Sequence, residues 1–221
     1  MVQADSNELI LGISVGATNI CAGIYNQEKD FVDILESDVG KNTMPSQVGL
    51  SEDGAVVVGE RAHAQKLYIE DPVRLVGESS QDTFEQPNVG ARTPTQLVSE
   101  IIKAVKNMAE RKHEGKSATK CVISVPSYFE QEQKAQIEIA AFRAGLECME
   151  IIDSAFAAVA AAGLHRGEDD EQTVLVCDYG GSDLTISVVK ISFGNIEKVT
   201  SKCERNVGGR MIDEALVTYC L

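Results

Sequence analysis

The stretch Gly12-Ile13-Ser14-Val15-Gly16-Ala17-Thr18-Asn19 is a glycine turn between apolar runs, and Cys177-Asp178-Tyr179-Gly180-Gly181-Ser182-Asp183 repeats its design. In both stretches an apolar run enters a tight turn of glycine and small polar residues, and a second apolar run leaves it. This pattern predicts a strand, a turn and a strand, used twice. Glycine permits positive φ and lets backbone N–H groups approach an anion with no side chain in the way. Two such turns facing each other would clamp a phosphate.

Composition and charge narrow the class of protein. The 221 residues are 43% apolar and 24% charged, which is typical of a globular protein with one large or two small domains. The net charge of −14 argues against direct nucleic-acid binding. The sequence has no apolar run long enough for a bilayer and no secretory pattern at its start, so we expect a cytoplasmic protein without a membrane partner. The six cysteines are widely separated, which favours buried, reduced thiols over disulfides or a metal site.

Turn and cap signals divide the rest of the chain into short elements. The runs 47–50 and 55–58 predict a hairpin, and 59–69 is helix-like. Thr93, Pro94 and Gln96 predict a capped helix start, after which apolar residues recur on one helical face. Further helices are predicted at 131–144, 155–164 and from 211, and strands at 121–125, 148–152, 173–178, 183–191 and 195–203. The order predicts a mixed α/β architecture. The last helix has no stop signal before Leu221, so we expect a piece of a longer protein.

Nine segments share their order and spacing with a known family. They are Gly12–Thr18, Asn42–Ser46, Arg74–Gly77, Val125–Phe129, Ala141–Leu146, Ile151–Ala158, Gly163–Leu164, Asp178–Gly181 and Gly208–Gly209. Together they resemble the N-terminal part of the nucleotide-binding domain of the heat shock protein 70 (DnaK-like) chaperones. The resemblance implies an actin-like, ribonuclease-H-like fold that binds ATP in a cleft between two lobes. The implied organisation is a disordered start at 1–8, the first lobe at 9–191 and the truncated beginning of the second lobe at 192–221.

The same resemblance implies which residues would hold the nucleotide. ATP or ADP with Mg²⁺ would lie against the two turns and a third glycine turn near residue 208. The implied cofactor-binding residues are Gly16, Ala17, Thr18, Asn19, Asp178, Gly180, Gly181, Ser182, Gly208 and Gly209. Asp178 would act on the Mg²⁺ indirectly.

The chain departs from the family at positions that serve hydrolysis. The family has an Asp where this chain has Ser14, a water-orienting Lys where it has Val73, and a Glu where it has Ser154. In the second turn Asp183 replaces a Thr and would bring negative charge close to the phosphates. Phosphoryl transfer needs neutralised transition-state charge and a positioned water. The residues at these four positions do not match those that serve these needs in the family, so we call the positions degenerate. We therefore assign no catalytic residue and expect little or no ATP hydrolysis.

Three functions follow from the resemblance. The favoured one is an atypical family member that binds ATP weakly or without hydrolysis and serves as a regulatory scaffold or co-chaperone in protein or nascent-chain folding. Its implied partners are a J-domain co-chaperone or ribosome-associated protein, and unfolded or nascent polypeptide bound through regions outside this chain. The first alternative is an active ATP-hydrolysing chaperone. The second is a sugar or acetate kinase of the same superfold.

Overall fold

The computed structural model describes residues 8–26, 29–51, 53–77, 84–86, 90–166 and 171–221. The chain divides into two compact units, Met1–Ile123 with Glu130–Ile151 and Ser124–Phe129 with Ile152–Leu221. Residues 1–7 of the predicted disordered start lie outside the described residues, and Glu8 begins the first strand. The lobe boundaries at 9–191 and 192–221 remain predictions.

The described residues form short strands interleaved with helices. The strands are β1 (Glu8–Val15), β2 (Asn19–Asn26), β3 (Phe31–Ile34), β4 (Met44–Pro45), β5 (Gln47–Leu50), β6 (Val56–Val58), β7 (Leu67–Glu70), β8 (Phe84–Gln86), β9 (Gly90–Arg92), β10 (Ser117–Val125), β11 (Glu147–Asp153), β12 (Gln172–Tyr179), β13 (Asp183–Ser192) and β14 (Asn195–Arg205). The helices are α1 (Pro94–Lys112), α2 (Gln131–Arg143), α3 (Ser154–Ala161) and α4 (Gly209–Cys220), with 3-10 helices at Gly59–Ala64 and Leu164–Arg166. The predicted mixed α/β class is confirmed.

The first unit is built on a sheet with the strand order β11-β10-β1-β2-β3, in which β4 also pairs with β2. Along β1 the apolar residues Leu9, Leu11, Ile13 and Val15 are buried and the residues between them are exposed. This alternation is what a strand with one buried face requires. A second sheet has the order β6-β5-β7, and its β5–β6 pair is the predicted hairpin.

Helix α1 begins as its sequence predicts. The Gln96 N–H donates to Thr93 Oγ1 at 3.3 Å, and the Thr93 N–H donates to Gln96 Oε1 at 2.9 Å. The two bonds complete a capping box, and Pro94 occupies the first helical position, where its missing N–H has no cost. Helix α2 also follows the prediction, with Gly145 at a φ of 78° just beyond its end.

The predicted helix at 59–69 is wrong. Only Gly59–Ala64 is helical, as a 3-10 helix, and Leu67–Glu70 is the strand β7. Ile69 lies opposite Val48 in the β5–β7 pair, and both side chains are buried. Pairing with β5 therefore overrides the local helical pattern, because it buries Ile69 and satisfies the backbone of both strands.

The second unit contains an antiparallel sheet with the order β12-β13-β14, at the three predicted strand runs. One face of this sheet packs against α3, where Ala155 and Val159 meet Val189 and Ile191 in a buried cluster. Helix α4 starts directly after Gly208. Among the described helices, none combines the length and the apolar content needed to cross a membrane.

Candidate functional site

The first glycine turn joins β1 to β2 in the first unit. Val15 pairs with Ile20, so residues 16–19 form the loop between the paired ends, and Asn19 also belongs to β2 through its pairing with Pro45 of β4. The Gly16 N–H donates to the Asn19 carbonyl at 3.2 Å, and the Ser46 N–H donates to the Thr18 carbonyl at 2.8 Å. Two backbone hydrogen bonds therefore help to hold the loop, one within it and one from the residue after β4.

The second glycine turn joins β12 to β13 in the second unit and has the same geometry. Tyr179 pairs with Leu184, so residues 180–183 again form a loop between the paired ends, and Asp183 also belongs to β13 through its pairing with Arg205 of β14. The Gly180 N–H donates to the Asp183 carbonyl at 3.0 Å, the equivalent of the Gly16–Asn19 bond. The predicted repeat of strand, turn and strand is therefore confirmed at the level of individual hydrogen bonds.

The glycines of these turns are favoured by the limited space and not by positive φ. Neither Gly16 nor Gly180 has a positive φ. A Cβ on Gly16 would lie 2.6 Å from the Asn19 carbonyl oxygen, and one on Gly180 would lie 3.3 Å from the Asp183 carbonyl oxygen. The expectation that positive φ explains these glycines is corrected, because the carbonyl that closes each loop crowds the place of a side chain, severely at Gly16 and mildly at Gly180.

The third glycine turn supports the second one. The Gly209 N–H donates to the Gly180 carbonyl at 3.0 Å, and the Arg210 N–H donates to the Gly181 carbonyl at 2.8 Å. A Cβ on Gly208 would lie 2.6 Å from both the carbonyl carbon and the oxygen of Gly181. The backbones of the two turns are in direct contact, so a side chain at 208 would force them apart.

Asp178 lies at the end of β12 with an exposed side chain. Its Oδ2 accepts a hydrogen bond from the Ser154 hydroxyl at 3.3 Å, and that hydroxyl lies 3.4 Å from the Ser127 hydroxyl. Ser127 Oγ also accepts from the Ala155 N–H at 3.4 Å. The structure therefore brings together two of the predicted positions, Asp178 and Ser154, and links them to the start of α3.

Asp183 is buried, and both its carboxylate oxygens accept hydrogen bonds. The Tyr128 hydroxyl donates to Oδ2 at 3.0 Å, and the Asn206 N–H donates to Oδ1 at 3.3 Å. Burial raises the pKa of Tyr128 well above its usual value, and the charge of Asp183 raises it further. The Arg205 guanidinium lies 5.2 Å from the centre of the Tyr128 ring. Asp183 is thus a structural anchor of the second turn, and its effect on phosphate binding remains a prediction.

Asp153, the residue before Ser154, is a buried carboxylate paired with Lys198. The Lys198 ammonium donates to Asp153 Oδ2 and, at 3.1 Å, to the Ser127 carbonyl. The Asp153 side chain is 5% exposed and that of Lys198 is 29% exposed. Because a buried carboxylate needs a partner, Lys198 stabilises the start of α3 where Ser154 lies.

The two remaining degenerate positions are in the first unit. Val73 has no exposed surface and lies in the turn that follows Asp71, so its side chain is part of the core. Ser14 is exposed on β1, opposite Cys21 of β2. Neither residue supplies a charged group.

The chemistry of the described donors fits a phosphate with Mg²⁺. Ala17 and Gly181 hold equivalent places in the two loops, and in the described part of the chain their N–H groups have no hydrogen-bond acceptor. Free N–H groups in glycine turns are suited to phosphate oxygens, and the exposed Asp178 carboxylate is suited to a water of Mg²⁺. The turns belong to different units, and the clamp between them remains a prediction.

The sequence did not reveal three supporting residues, Tyr128, Lys198 and Asn206. Tyr128 belongs to a segment that carries the family resemblance, but nothing in that segment assigned it a role. For Lys198 the sequence contains one signal of a buried contact. Lys198 shares a strand face with the half-buried Ile196, and a charged group at such a position needs a partner. Asn206 donates through its backbone, which no sequence pattern reveals.

The comparisons with known proteins all indicate the same family. A family model described as Hsp70 protein matches residues 70–221. The chain is 32% identical over 220 residues to the chaperone protein DnaK of Ureaplasma urealyticum serovar 10, which covers 98% of this chain and 35% of that protein. It is 34% identical over 218 residues to the chaperone protein DnaK of Mycoplasmopsis pulmonis, covering 97% of this chain and 35% of the relative. It is 30% identical over 242 residues to the heat shock cognate HSP70 protein of Trypanosoma brucei brucei, covering 96% of this chain and 35% of the relative.

The chain spans about a third of the length of these curated relatives. The family model nevertheless covers more than half of the chain, including the second and third glycine turns. The chain therefore belongs to the Hsp70 family, and its mixed α/β architecture is consistent with the actin-like ATPase fold of that family.

Proposed function

We propose that this chain is part of an atypical Hsp70-family protein that binds ATP or ADP with Mg²⁺ weakly or without hydrolysis. In this proposal the protein is a regulatory scaffold or co-chaperone in protein or nascent-chain folding. Two features support it, the repeated glycine turns that suit phosphate binding and the residues at the positions that serve hydrolysis in the family.

The observation that carries the proposal is the environment of Val73 and Ser154. Val73 is completely buried, so it brings no cation to a bound phosphate. Ser154 offers a hydroxyl that is already bonded to Asp178 and cannot replace a carboxylate. Loss of one positioned acid–base group typically lowers a rate by about 10²–10⁴-fold, and such losses do not simply add. Very slow or absent hydrolysis follows.

The nucleotide would be held by backbone groups and one carboxylate. The N–H groups of Ala17 and Gly181 would donate to phosphate oxygens, and Asp178 would bind a water of Mg²⁺. When bound, Mg²⁺ would neutralise part of the phosphate charge. Ser154 would then orient Asp178 through the hydrogen bond that the structure already contains.

The proposed partners follow from the family. The relatives are named as chaperones, so a J-domain co-chaperone or a ribosome-associated protein is the proposed regulator, in the cytoplasm. Unfolded or nascent polypeptide would bind through parts of the protein outside this chain. An active ATPase is the main alternative, and the family match argues against a sugar or acetate kinase.

Calorimetric titration of Mg·ATP into the full-length protein tests the proposal, with phosphate release measured on the same sample. We expect binding without phosphate release. Asp178→Asn should weaken the Mg²⁺-dependent part of binding about tenfold or more, as is usual for a group that orients a metal ligand. The matched control is Glu204→Gln, which changes an exposed acid on β14 and should leave binding unchanged. Steady turnover would contradict the proposal, and absence of any binding would contradict its nucleotide part.

A further inference from the structure

A cavity of about 600 Å³ lies in the first unit, between α1 and the 3-10 helix Gly59–Ala64. The residues that line it come from several segments, from Asp38 to Arg111 near the end of α1. Its described lining residues include none from the three glycine turns. Cavities of this size accommodate small organic ligands. The cavity is therefore a candidate binding site distinct from those turns.

The α1 side of the cavity is one continuous helix face. Its residues are spaced three or four positions apart, which places side chains on the same side of a helix. They are Ala104, Asn107, Met108 and Arg111. The buried core residues of α1, such as Val105, form a different set. This face is therefore not part of the hydrophobic core and is available to a ligand.

The opposite wall is apolar at its base. Met44 is buried there and pairs with Ile20 through β4 and β2. A Cβ on Gly59 would lie 2.6 Å from Met44 Cγ, so the methionine packs directly on the glycine backbone. Together with Met108, Met44 offers a polarisable apolar surface, and thioether groups make favourable contacts with aromatic rings.

The polar groups that line the cavity have a surplus of hydrogen-bond donors. Three carboxylates line it, and each already accepts a hydrogen bond from the chain: Asp38 from Arg111 at 3.1 Å, Glu60 from Ser37 at 2.8 Å and Glu110 from Lys106 at 3.2 Å. By contrast, the side chains of Arg61 and Asn107 have no hydrogen-bond or ion-pair partner among the described residues. A guanidinium has several N–H donors and no acceptor. A ligand of this cavity should therefore bring acceptors, and an anionic group suits Arg61 best.

The same carboxylates limit the charge of that ligand. They place three negative charges on the wall, against the two positive charges of Arg61 and Arg111. One anionic group can bind at Arg61, but further negative charges on the ligand would be repelled by the carboxylates. The wall therefore favours a singly charged ligand over a polyphosphate.

We propose that this cavity binds a small amphiphilic monoanion, a molecule with an apolar ring system and one carboxylate or sulfonate group. The rings contact Met44 and Met108, and the anionic group accepts hydrogen bonds from Arg61 and Asn107.

Titration with anilinonaphthalene sulfonate, an aromatic monoanion, tests the proposal by NMR. The full-length protein is isotopically labelled at its methionine methyl groups, and the signals are assigned by single Met→Leu substitutions. We expect saturable shifts of Met44 and Met108, without shifts of the exposed Met149 and Met211. Equal shifts at Met149 or Met211 would show binding to exposed apolar surface instead, and would overturn the proposal.

Two variants test the charged and the apolar part of the site. Arg61→Gln should weaken binding about tenfold or more, because it removes a charge-assisted hydrogen bond. The matched control is Arg143→Gln, which removes an exposed cation at the end of α2 and should leave the affinity unchanged. Both arginines are exposed, so neither change disturbs the core. Ala104→Leu should abolish the Met44 and Met108 shifts, because the larger side chain fills part of the cavity.

Two further probes test the charge of the ligand. Phenylnaphthylamine has the same rings without the sulfonate, and we expect it to bind about tenfold more weakly or worse. Inorganic triphosphate carries several negative charges and should leave the Met108 signal unchanged. The proposal is overturned if the uncharged probe binds as tightly as the sulfonate, if triphosphate shifts Met108, or if Arg61→Gln has the same affinity as Arg143→Gln.

Discussion

The two glycine turns have the same hydrogen bond and loop length, but different parts of the chain hold them in place. In the first turn, the loop 16–19 accepts a backbone hydrogen bond from the Ser46 N–H at the Thr18 carbonyl. In the second, the loop 180–183 is supported by a glycine turn and by side chains, with Asp183 buried against Tyr128.

The comparison distinguishes contacts that both turns share from contacts that are present in one unit. The shared part is the N–H to carbonyl bond across the loop, which leaves no room for a Cβ at Gly16 and only tight room for one at Gly180. The added part in the second unit is a set of buried polar contacts, and such contacts are costly when one member is removed. The second turn should therefore be the more sensitive to side-chain changes, and the first to changes at its own glycine.

The largest expected effect is that of Lys198→Met. The substitution removes the ammonium that pairs with the 5%-exposed Asp153 side chain, and breaking a buried pair costs about 3 kcal/mol of unfolding free energy. Urea unfolding measures the loss. The control is Lys190→Met, whose exposed pair with Glu171 at 2.8 Å should be worth less than about 1 kcal/mol. Adding Asp153→Asn to Lys198→Met should recover most of the loss, and equal costs for the two lysines would show that the buried pair is unimportant.

Gly208→Ala should follow, at about 2 kcal/mol, because its Cβ would lie 2.6 Å from two backbone atoms of Gly181. Gly209→Ala is its neighbour control. There the nearest atom is 3.9 Å from the Cβ, so that change should be close to neutral in the same unfolding measurement. If both variants were equally stable, the contact between the second and third turns would not be a tight one.

Comparison of Gly16→Ala with Gly180→Ala tests the shared geometry directly. The Cβ would be 2.6 Å from the closing carbonyl oxygen in the first turn and 3.3 Å in the second. We expect a loss of about 1–2 kcal/mol for Gly16→Ala and less than about 1 kcal/mol for Gly180→Ala, because only the shorter contact forces the backbone to move. The reverse order, measured by denaturant unfolding, would show that the second loop is the more tightly closed.

Tyr128→Phe should have a modest effect at neutral pH, about 1 kcal/mol for the lost hydrogen bond to Asp183. Its pH dependence is more informative. The pKa of Tyr128 is raised in the folded protein, so this residue stabilises the fold fully below its unfolded pKa of about 10, and the contribution falls as pH rises above that value. Thermal unfolding across this alkaline range should show a steeper loss in the wild type than in Tyr128→Phe. Parallel curves would contradict the assignment.

Local patterns in the sequence predicted the elements whose cause is local. The capping box at Thr93 and the two strand–turn–strand repeats depend on residues close together in the chain, and each is present. The strand β7 was missed because its cause is pairing with β5, about twenty residues away. The contacts of Lys198 with Asp153 and of Tyr128 with Asp183 join residues 45 and 55 positions apart, and no local pattern encodes them.

The sequence predicted the glycines and the acidic residues of the candidate site, but not the residues that hold them in place. The spacing of Asp178 from Gly180 and Gly181 identified the turn, and the structure adds the hydrogen bond from Ser154. The predicted role of Asp183 as a charge near phosphates rested on sequence position alone. Its burial and two donors could be learned only from the folded chain.

A single-turnover experiment measures whether this protein hydrolyses ATP. The full-length protein is mixed in excess with Mg·ATP labelled at the γ-phosphate, and a DnaK relative is the positive control. We expect the label to remain on ATP after the relative has released its phosphate, because Val73 is buried and Ser154 supplies no carboxylate. Release of labelled phosphate at a rate similar to that of the relative would contradict this expectation. If that release were lost in Asp178→Asn, it would show that other residues of this site activate the water.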